Sequence, residues 1–95
     1  MIRITMSPAP NIPIGHSPIT ERSVRTAAEL GELVRAQRAR QALRQVDVAG
    51  LGNTGNRFIV ELENGKPTVQ LQKVLDLLDL LGLEVVIRPK AQQVI

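Results

Sequence analysis

Hydrophobic positions at helical spacing predict four helices in the middle of the chain. The first covers about residues 26–41 and opens with Thr26 and Glu29 in the arrangement of a reciprocal N-terminal cap. A short second helix is predicted over about residues 44–52 and a third over about residues 55–63. The turn between them reads Gly-Asn-Thr-Gly, residue types that tolerate the left-handed backbone of a tight connection.

The fourth predicted helix begins at Thr68, which can cap it, and ends before Gly82. Two further leucines, Leu77 and Leu80, fall outside its apolar stripe. A second apolar face indicates either a deeply buried helix or a subunit interface. The stripe itself is formed by Leu71, Val74, Leu75, Leu78 and Leu81.

The two ends of the chain have a different pattern. After Gly82, a run of β-branched residues, Val85 to Ile87, predicts a strand that Pro89 ends. A lone strand needs a partner, which is either the same strand of a second subunit or the N-terminal segment "IRITM", whose apolar residues alternate. Residues 1–24 hold four of the six prolines and are predicted to be an arm, either flexible or a short strand.

This pattern divides the chain into the arm at residues 1–24, a helical domain at residues 25–82, and a dimerisation strand with a tail at residues 83–95. With 95 residues the chain can form one small domain, and such a domain buries a limited share of its surface. An obligate oligomer is therefore plausible. The core between the second and third helices is predicted to contain Val48, Ala49, Ile59 and Leu62.

Composition removes several functional classes. There are no cysteines and one histidine, His16 in the arm, so we expect no metal site, no catalytic residues and no cofactor. No apolar run reaches the roughly 18 to 20 residues of a membrane helix, which favours a cytoplasmic protein. The net charge of +3 is small, but Arg35, Arg38, Arg40 and Arg44 cluster, which permits a polyanionic partner.

The segment "QVDVAGLGNTGNRFIVELENGK", Gln45 to Lys66, resembles the helix-turn-helix of the Xre/Cro family of DNA-binding domains. The closing "LENGK" is its most specific part. The order of elements from the third helix to the C-terminal strand resembles that of HipB-type antitoxins. The resemblance covers about residues 26–87 and implies an all-α, lambda-repressor-like fold of four to five helices, with a short C-terminal β-strand that pairs across a dimer.

The resemblance also assigns residues to roles. It implies that the third helix enters the major groove and reads bases through Asn56, Arg57 and Glu61. Arg57 can donate two parallel hydrogen bonds to guanine, and Asn56 has the donor and acceptor that complement adenine. Glu61 either accepts from cytosine, orients Arg57, or is an ordinary solvated side chain.

Other residues are expected to hold the DNA backbone or the second subunit. The phosphate contacts implied by the resemblance are those of Gln45, Arg38, Arg44, Asn64 and Lys66. The expected dimer interface consists of Leu77, Leu80, Val85, Val86 and Ile87. Phe58, the one aromatic residue, either packs in the domain or contacts a thymine methyl, and packing is favoured.

The function implied is that of a transcriptional repressor that binds a palindromic operator as a homodimer. As a HipB-like antitoxin it would autoregulate its operon and neutralise a HipA-like serine/threonine kinase toxin, working in the cytoplasm at the nucleoid. The chain departs from the family pattern at Arg44, where a hydroxyl usually caps the second helix, and at Gly55, which lacks a hydroxyl cap for the third. Two alternatives remain: a toxin-neutralising module with weakened DNA binding, and a plain Xre-family regulator.

Overall fold

The computed structural model describes residues 2–6 and 21–90. The four predicted helices are present within these ranges, together with three strands. Residues 1 and 7–20 of the predicted arm, and residues 91–95 of the predicted tail, lie outside the described residues. In chain order the elements are β1 Ile2–Met6, β2 Glu21–Val24, α1 Ala27–Arg40, α2 Gln45–Leu51, α3 Asn56–Glu63, α4 Leu71–Leu80 and β3 Leu83–Ile87.

The strands form one antiparallel sheet in the order β2-β1-β3. Ile4 at its centre lies opposite Arg22 on one side and Val85 on the other, and is 4% exposed. The alternating segment at residues 2–6 is thus a strand, and it pairs with β3 of the same chain. Strand β2 was not predicted, because its four residues, Glu-Arg-Ser-Val, show no alternation of apolar and polar types.

The start of α1 confirms Thr26 as the predicted cap, while the Glu29 carboxylate reaches the amide one residue before the cap instead of the cap amide. Thr26 Oγ1 accepts a hydrogen bond from the Glu29 amide at 3.0 Å, and Glu29 Oε1 accepts from the Arg25 amide at 3.2 Å. Further along α1, Gly31 permits a close approach to α3, since a Cβ there would lie 2.5 Å from the Leu62 carbonyl oxygen. No larger residue fits this crossing without moving one of the helices.

The connections on either side of α3 have the predicted turn chemistry. Asn53 has a left-handed backbone with φ of 51°, and the Thr54 amide donates to the Ala49 carbonyl at 2.9 Å. After α3, Gly65 has φ of 82°, and a Cβ there would lie 2.9 Å from Ala28 Cα. Glycine is therefore required at residue 65 by both conformation and space.

The core lies where α1, α2, α3, α4 and the sheet meet. The predicted core residues Val48, Ala49, Ile59 and Leu62 are all buried, which confirms that part of the analysis. The Gln37 side-chain amide donates to the Leu81 carbonyl at 2.8 Å and so satisfies the end of α4. The buried apolar residues are Ile4, Leu33, Val34, Val48, Ala49, Ile59, Leu62, Val74, Leu77, Leu78, Leu81 and Leu83.

Two predictions about α4 are wrong. The helix begins at Leu71 with Gln70 as its N-cap residue, because the chain still turns at residues 67–69, so Thr68 is not the cap. Its inner face is rotated from the predicted stripe, since Leu71 is 69% exposed and Leu75 is 38% exposed. The inner face consists of Val74, Leu77, Leu78 and Leu81.

Leu77 was predicted at a subunit interface, and this is also wrong. Its side chain is 4% exposed and belongs to the core cluster, so a second copy of the chain cannot contact it. The core packs on the face that contains Leu77 because residues 74, 77, 78 and 81 also have helical i, i+3, i+4, i+7 spacing. Because α4 has two overlapping apolar stripes, the elements packed against it determine which of the two is buried.

Candidate nucleic-acid interface

The third helix has a buried inner face and a polar exposed start. Ile59 is fully buried and Leu62 is 1% exposed, so they fix α3 against the core. At the first two positions of the helix, Asn56 and Arg57 are exposed, and the Arg57 side chain is 88% exposed. The structure therefore presents the two polar residues that the sequence analysis placed at the leading end of a reading helix.

Glu61 connects Arg57 with the residue that follows the α3 turn. Its Oε2 atom lies 2.8 Å from Lys66 Nζ and 3.7 Å from Arg57 Nε. The hydrogen bond from Lys66, and the charges of Lys66 and Arg57, lower the pKa of Glu61 and outweigh the effect of burial. Glu61 is thus an anion near neutral pH with two cations near its Oε2 atom, and the alternative in which it orients Arg57 stays a prediction.

A buried carboxylate, Glu63, joins three helices beneath this surface. Its two oxygens accept from Arg38 Nε at 2.6 Å and Nη2 at 2.9 Å, and Oε1 also accepts from Gln45 Nε2 at 3.1 Å. Arg35 Nε lies 3.5 Å from the same carboxylate. Burial alone would raise the pKa of Glu63, but the hydrogen bonds from Arg38 and Gln45 and the Arg38 charge together lower it.

The prediction that Arg38 contacts phosphate is wrong. Its side chain is 17% exposed, and its guanidinium is shared between Glu63 and the Leu43 carbonyl, the latter at 2.9 Å. If Arg38 broke its ion pair with Glu63 to bind DNA, a buried carboxylate would be left without a counter-charge. Glu63 was not predicted to be part of the site, although its position next to Leu62 on the inner face of α3 indicates that this acid needs an internal partner.

The other predicted phosphate residues keep exposed donors. Arg44 is 79% exposed and lies 3.1 Å from Asp47 Oδ1, while Asp47 Oδ2 accepts from the Arg44 amide at 2.8 Å and so caps α2. This bond satisfies the Arg44 amide, although the side chain of Arg44 does not itself cap the helix. Hydrogen bonds from Arg44 lower the pKa of Asp47. Exposed pairs of this kind contribute little to stability, so the Arg44 guanidinium can exchange Asp47 for a phosphate.

Besides Arg44, three other residues were predicted to contact phosphate. Gln45 uses its amide on Glu63 but is still partly exposed at the start of α2, and Asn64 accepts from Arg35 Nη2 at 3.4 Å. Lys66 is 44% exposed and follows Gly65 directly. Gln45 and Arg35 thus meet at Glu63, and Arg57 and Lys66 meet at Glu61, so α3 contacts both groups of residues.

Phe58 packs against the core, as the sequence analysis favoured. It is half-buried, and the Lys73 ammonium lies 5.7 Å from the centre of its ring. Its ring therefore faces Lys73 on α4. A role in contacting a thymine methyl stays a prediction.

A model of a known family, described as a helix-turn-helix domain, matches residues 29–89. This range contains α2, the turn and α3 with the exposed polar start just described. The chain belongs to this helix-turn-helix family. The helix-turn-helix consists of α2 and α3, and the domain is Xre-like and of the DNA-binding regulator class.

A similar protein also carries the helix-turn-helix description. The uncharacterized HTH-type transcriptional regulator y4mF of Sinorhizobium fredii is 48% identical over 64 residues, which covers 67% of this chain and 84% of that protein. Helix-turn-helix regulators are typically not enzymes. Within residues 2–6 and 21–90, no group of three or more histidine, cysteine or acidic side chains could hold a metal, and no helix is long and apolar enough to cross a membrane.

Proposed function

We propose that this helix-turn-helix protein is a sequence-specific transcriptional repressor that reads double-stranded DNA with the first turn of α3. The observation that carries this proposal is the pair of exposed side chains, Asn56 and Arg57, on a helix whose opposite face is locked in the core. A rigid helix with polar residues at its leading end has the form of a major-groove reader. The experiment that tests it is DNA binding by variants of these residues.

The chemistry of the two residues defines what they read. The Arg57 guanidinium offers two parallel donors for guanine O6 and N7, and the Asn56 amide complements adenine N6 and N7. Glu61 positions Arg57, because its carboxylate lies 3.7 Å from Arg57 Nε and is held from the other side by Lys66. Contact of Glu61 with cytosine is the less favoured role, since its Oε2 atom already faces both cations.

The contacts that hold the backbone come from both sides of α3. Arg44 and Gln45 at the start of α2, with Asn64 and Lys66 after α3, place donors where phosphates flank a helix lying in the groove. These contacts position the domain without reading sequence. Arg38 has no part in them, because it stabilises Glu63.

A second copy of the chain completes the DNA-binding unit. One helix-turn-helix covers a single half-site, and two-fold dimers read palindromes with half-sites about one helical turn apart. The outer edge of β3 has no partner among the described residues, and Ile87 on it is 75% exposed. We propose that two copies pair through this edge, where Val85 and Val86 contribute, and that Leu80, which is 42% exposed, packs beside it.

Replacing Arg57 with alanine is expected to reduce discrimination at one base position by about 1–3 kcal/mol. Fluorescence anisotropy with the duplex upstream of the gene, and with single-base variants of it, measures this loss. The reason is that the bidentate donor to guanine disappears, while the other contacts remain.

Lys66→Ala is the matched control, because it also removes one cation from the same surface. It is expected to weaken binding to all sequences alike and to reduce the slope of log K against log salt by about one unit. If Arg57→Ala weakens binding equally to the specific and a scrambled duplex, Arg57 does not read a base.

The HipB-like function is a finer proposal that rests on the sequence resemblance of residues 26–87. In it the dimer represses its own operon and neutralises a HipA-like serine/threonine kinase. Co-expression with a kinase encoded beside the gene is expected to yield a stable complex and loss of kinase activity. A gene without such a neighbour favours the plain Xre-family regulator, and a complex without specific DNA binding favours the toxin-neutralising module.

A further inference from the structure

One apolar side chain of α3, that of Val60, lies apart from the hydrophobic core. Val60 is partly exposed, four residues after Asn56 and directly before Glu61. Within the part of the chain that the structure describes, it belongs neither to the buried core cluster nor to the partly buried hydrophobic residues packed against that cluster. The apolar residues of α3 that do belong to these two groups are Phe58, Ile59 and Leu62.

Helical geometry places Val60 on the side of α3 that the proposed function assigns to DNA. Residues four apart in a helix lie one above the other on the same face, so Val60 follows Asn56 and Glu61 follows Arg57. The two pairs form neighbouring rows along the exposed side of the helix. Four residues advance about 6 Å along the helix axis, and base pairs are about 3.4 Å apart, so the second turn meets the next base pairs of the half-site.

An apolar side chain at this place is limited in what it can recognise. The edges of the bases in the major groove present hydrogen-bond donors and acceptors, and the apolar group among them is the C5 methyl of thymine. Valine has no polar atom, so over any other edge it would cover donors or acceptors without bonding them. Its β-branched side chain has one strongly preferred rotamer in a helix, so its two methyl groups are held in place before DNA binds.

Phe58 is the other candidate on α3 for a contact with a methyl group. Its ring is partly buried against the core, and the Lys73 ammonium on α4 lies 5.7 Å from the centre of the ring. To reach the groove, the ring would have to leave both neighbours. Val60 lies outside the core cluster and on the same face as Asn56, so it is the better placed of the two.

We propose that Val60 is a specificity-determining residue that recognises a 5-methylpyrimidine in the operator half-site, which is thymine in unmodified DNA. This inference rests on the proposed function and names the base that the second turn of α3 reads. The Val60 methyl groups pack on the C5 methyl of a thymine one or two base pairs, on the order of one helical turn of α3, from the base that Asn56 contacts. Burial of one methyl group corresponds to a preference of about four-fold over the same base without it.

The test begins with selection of duplexes from a random library by the full-length protein at physiological salt. The selected half-site is expected to contain a preferred thymine. Each thymine of the selected duplex is then replaced singly by deoxyuridine, which removes the C5 methyl and leaves the hydrogen-bonding groups unchanged. Fluorescence anisotropy of the wild-type protein is expected to show a loss of affinity of about four-fold at one thymine of each half-site.

Val60→Ala locates the effect on the protein. This variant is expected to bind the thymine and deoxyuridine duplexes equally, so the ratio of their affinities falls from about four to about one. The ratio compares two duplexes bound by the same protein, so any loss of folded protein cancels. Val46→Ala is the matched control, because Val46 is 54% exposed but lies on α2, and it is expected to keep the wild-type ratio. An unchanged ratio in Val60→Ala, or no thymine sensitive to deoxyuridine, overturns the proposal.

A second pair of duplexes separates the methyl group from the rest of the base pair. The sensitive thymine is replaced by cytosine or by 5-methylcytosine, each paired with guanine. The wild-type protein is expected to bind the methylated duplex about four-fold more tightly than the unmethylated one, and Val60→Ala to bind both equally. Equal binding of the two by the wild-type protein overturns the proposal.

The selection also separates this inference from the function on which it rests. If no sequence is enriched, both the repressor function and the role of Val60 are wrong. If a sequence is enriched and bound specifically, but no C5 methyl affects its affinity, the role of Val60 alone is wrong and sequence-specific DNA binding stands.

Discussion

Glu63→Ala is expected to lower the free energy of unfolding by about 3–5 kcal/mol, measured by urea denaturation. The Glu63 side chain is fully buried and accepts from Arg38 at 2.6 Å and 2.9 Å, and from Gln45 at 3.1 Å. Removing it leaves the Arg38 guanidinium, which is 17% exposed, without its counter-charge. It also opens space where α1, α2 and α3 meet.

Glu32→Ala provides the control for this variant. Glu32 is the same residue type and is exposed on α1, so its removal is expected to change stability by about 0.5 kcal/mol or less. Losses of similar size in Glu63→Ala and Glu32→Ala would show that the buried network does not stabilise the domain.

The same network makes stability depend on pH. Despite its burial, Glu63 has a pKa in the folded state below its ordinary value of 4.5, because of the hydrogen bonds and charge of Arg38 and the hydrogen bond of Gln45. A lowered pKa means that the stabilisation is fully present above about pH 4.5 and is lost as the pH falls through the folded-state value. Glu63→Gln, which keeps the shape but cannot ionise, is expected to show a flatter decline in stability below about pH 4.5.

Ile87→Lys is expected to separate the proposed dimer and reduce affinity for a palindromic duplex by about 10²–10⁴-fold, the usual contribution of bivalent binding. Ile87 is 75% exposed, so the substitution should leave the chain's own core intact. Lysine on an edge strand opposes pairing with a second strand. Because an added positive charge favours DNA by itself, a loss of affinity is attributable to assembly.

Sedimentation and anisotropy measure the two parts of this result. Ala36→Lys adds the same charge at an exposed position on α1 and is expected to keep the dimer and its affinity. A wild-type protein that stays monomeric at micromolar concentration, or an Ile87→Lys variant that still binds the palindrome tightly, would contradict pairing through β3.

The sequence by itself determined the elements whose cause is local. The Thr26 and Glu29 cap, the left-handed Asn53 and the glycine at residue 65 act within a few residues, so they fix where helices begin and end. Helical spacing also identified Ile59 and Leu62 as the buried side of α3, and thereby left Asn56 exposed at its start. Motif and local physics together were sufficient to predict a helix-turn-helix.

The tertiary structure decided every feature that needs a partner distant in sequence. Arg38 is a structural residue because Glu63, 25 positions later, lies beside it across the α1–α3 contact. The inner face of α4 was ambiguous, since leucines occupy two overlapping stripes, and packing against the core selected the one with Leu77. Strand β3 pairs with β1, which is distant from it in the sequence. Local sequence sets helix ends through backbone hydrogen bonds, but which charge is paired and which apolar face is buried depends on the surfaces that folding brings together.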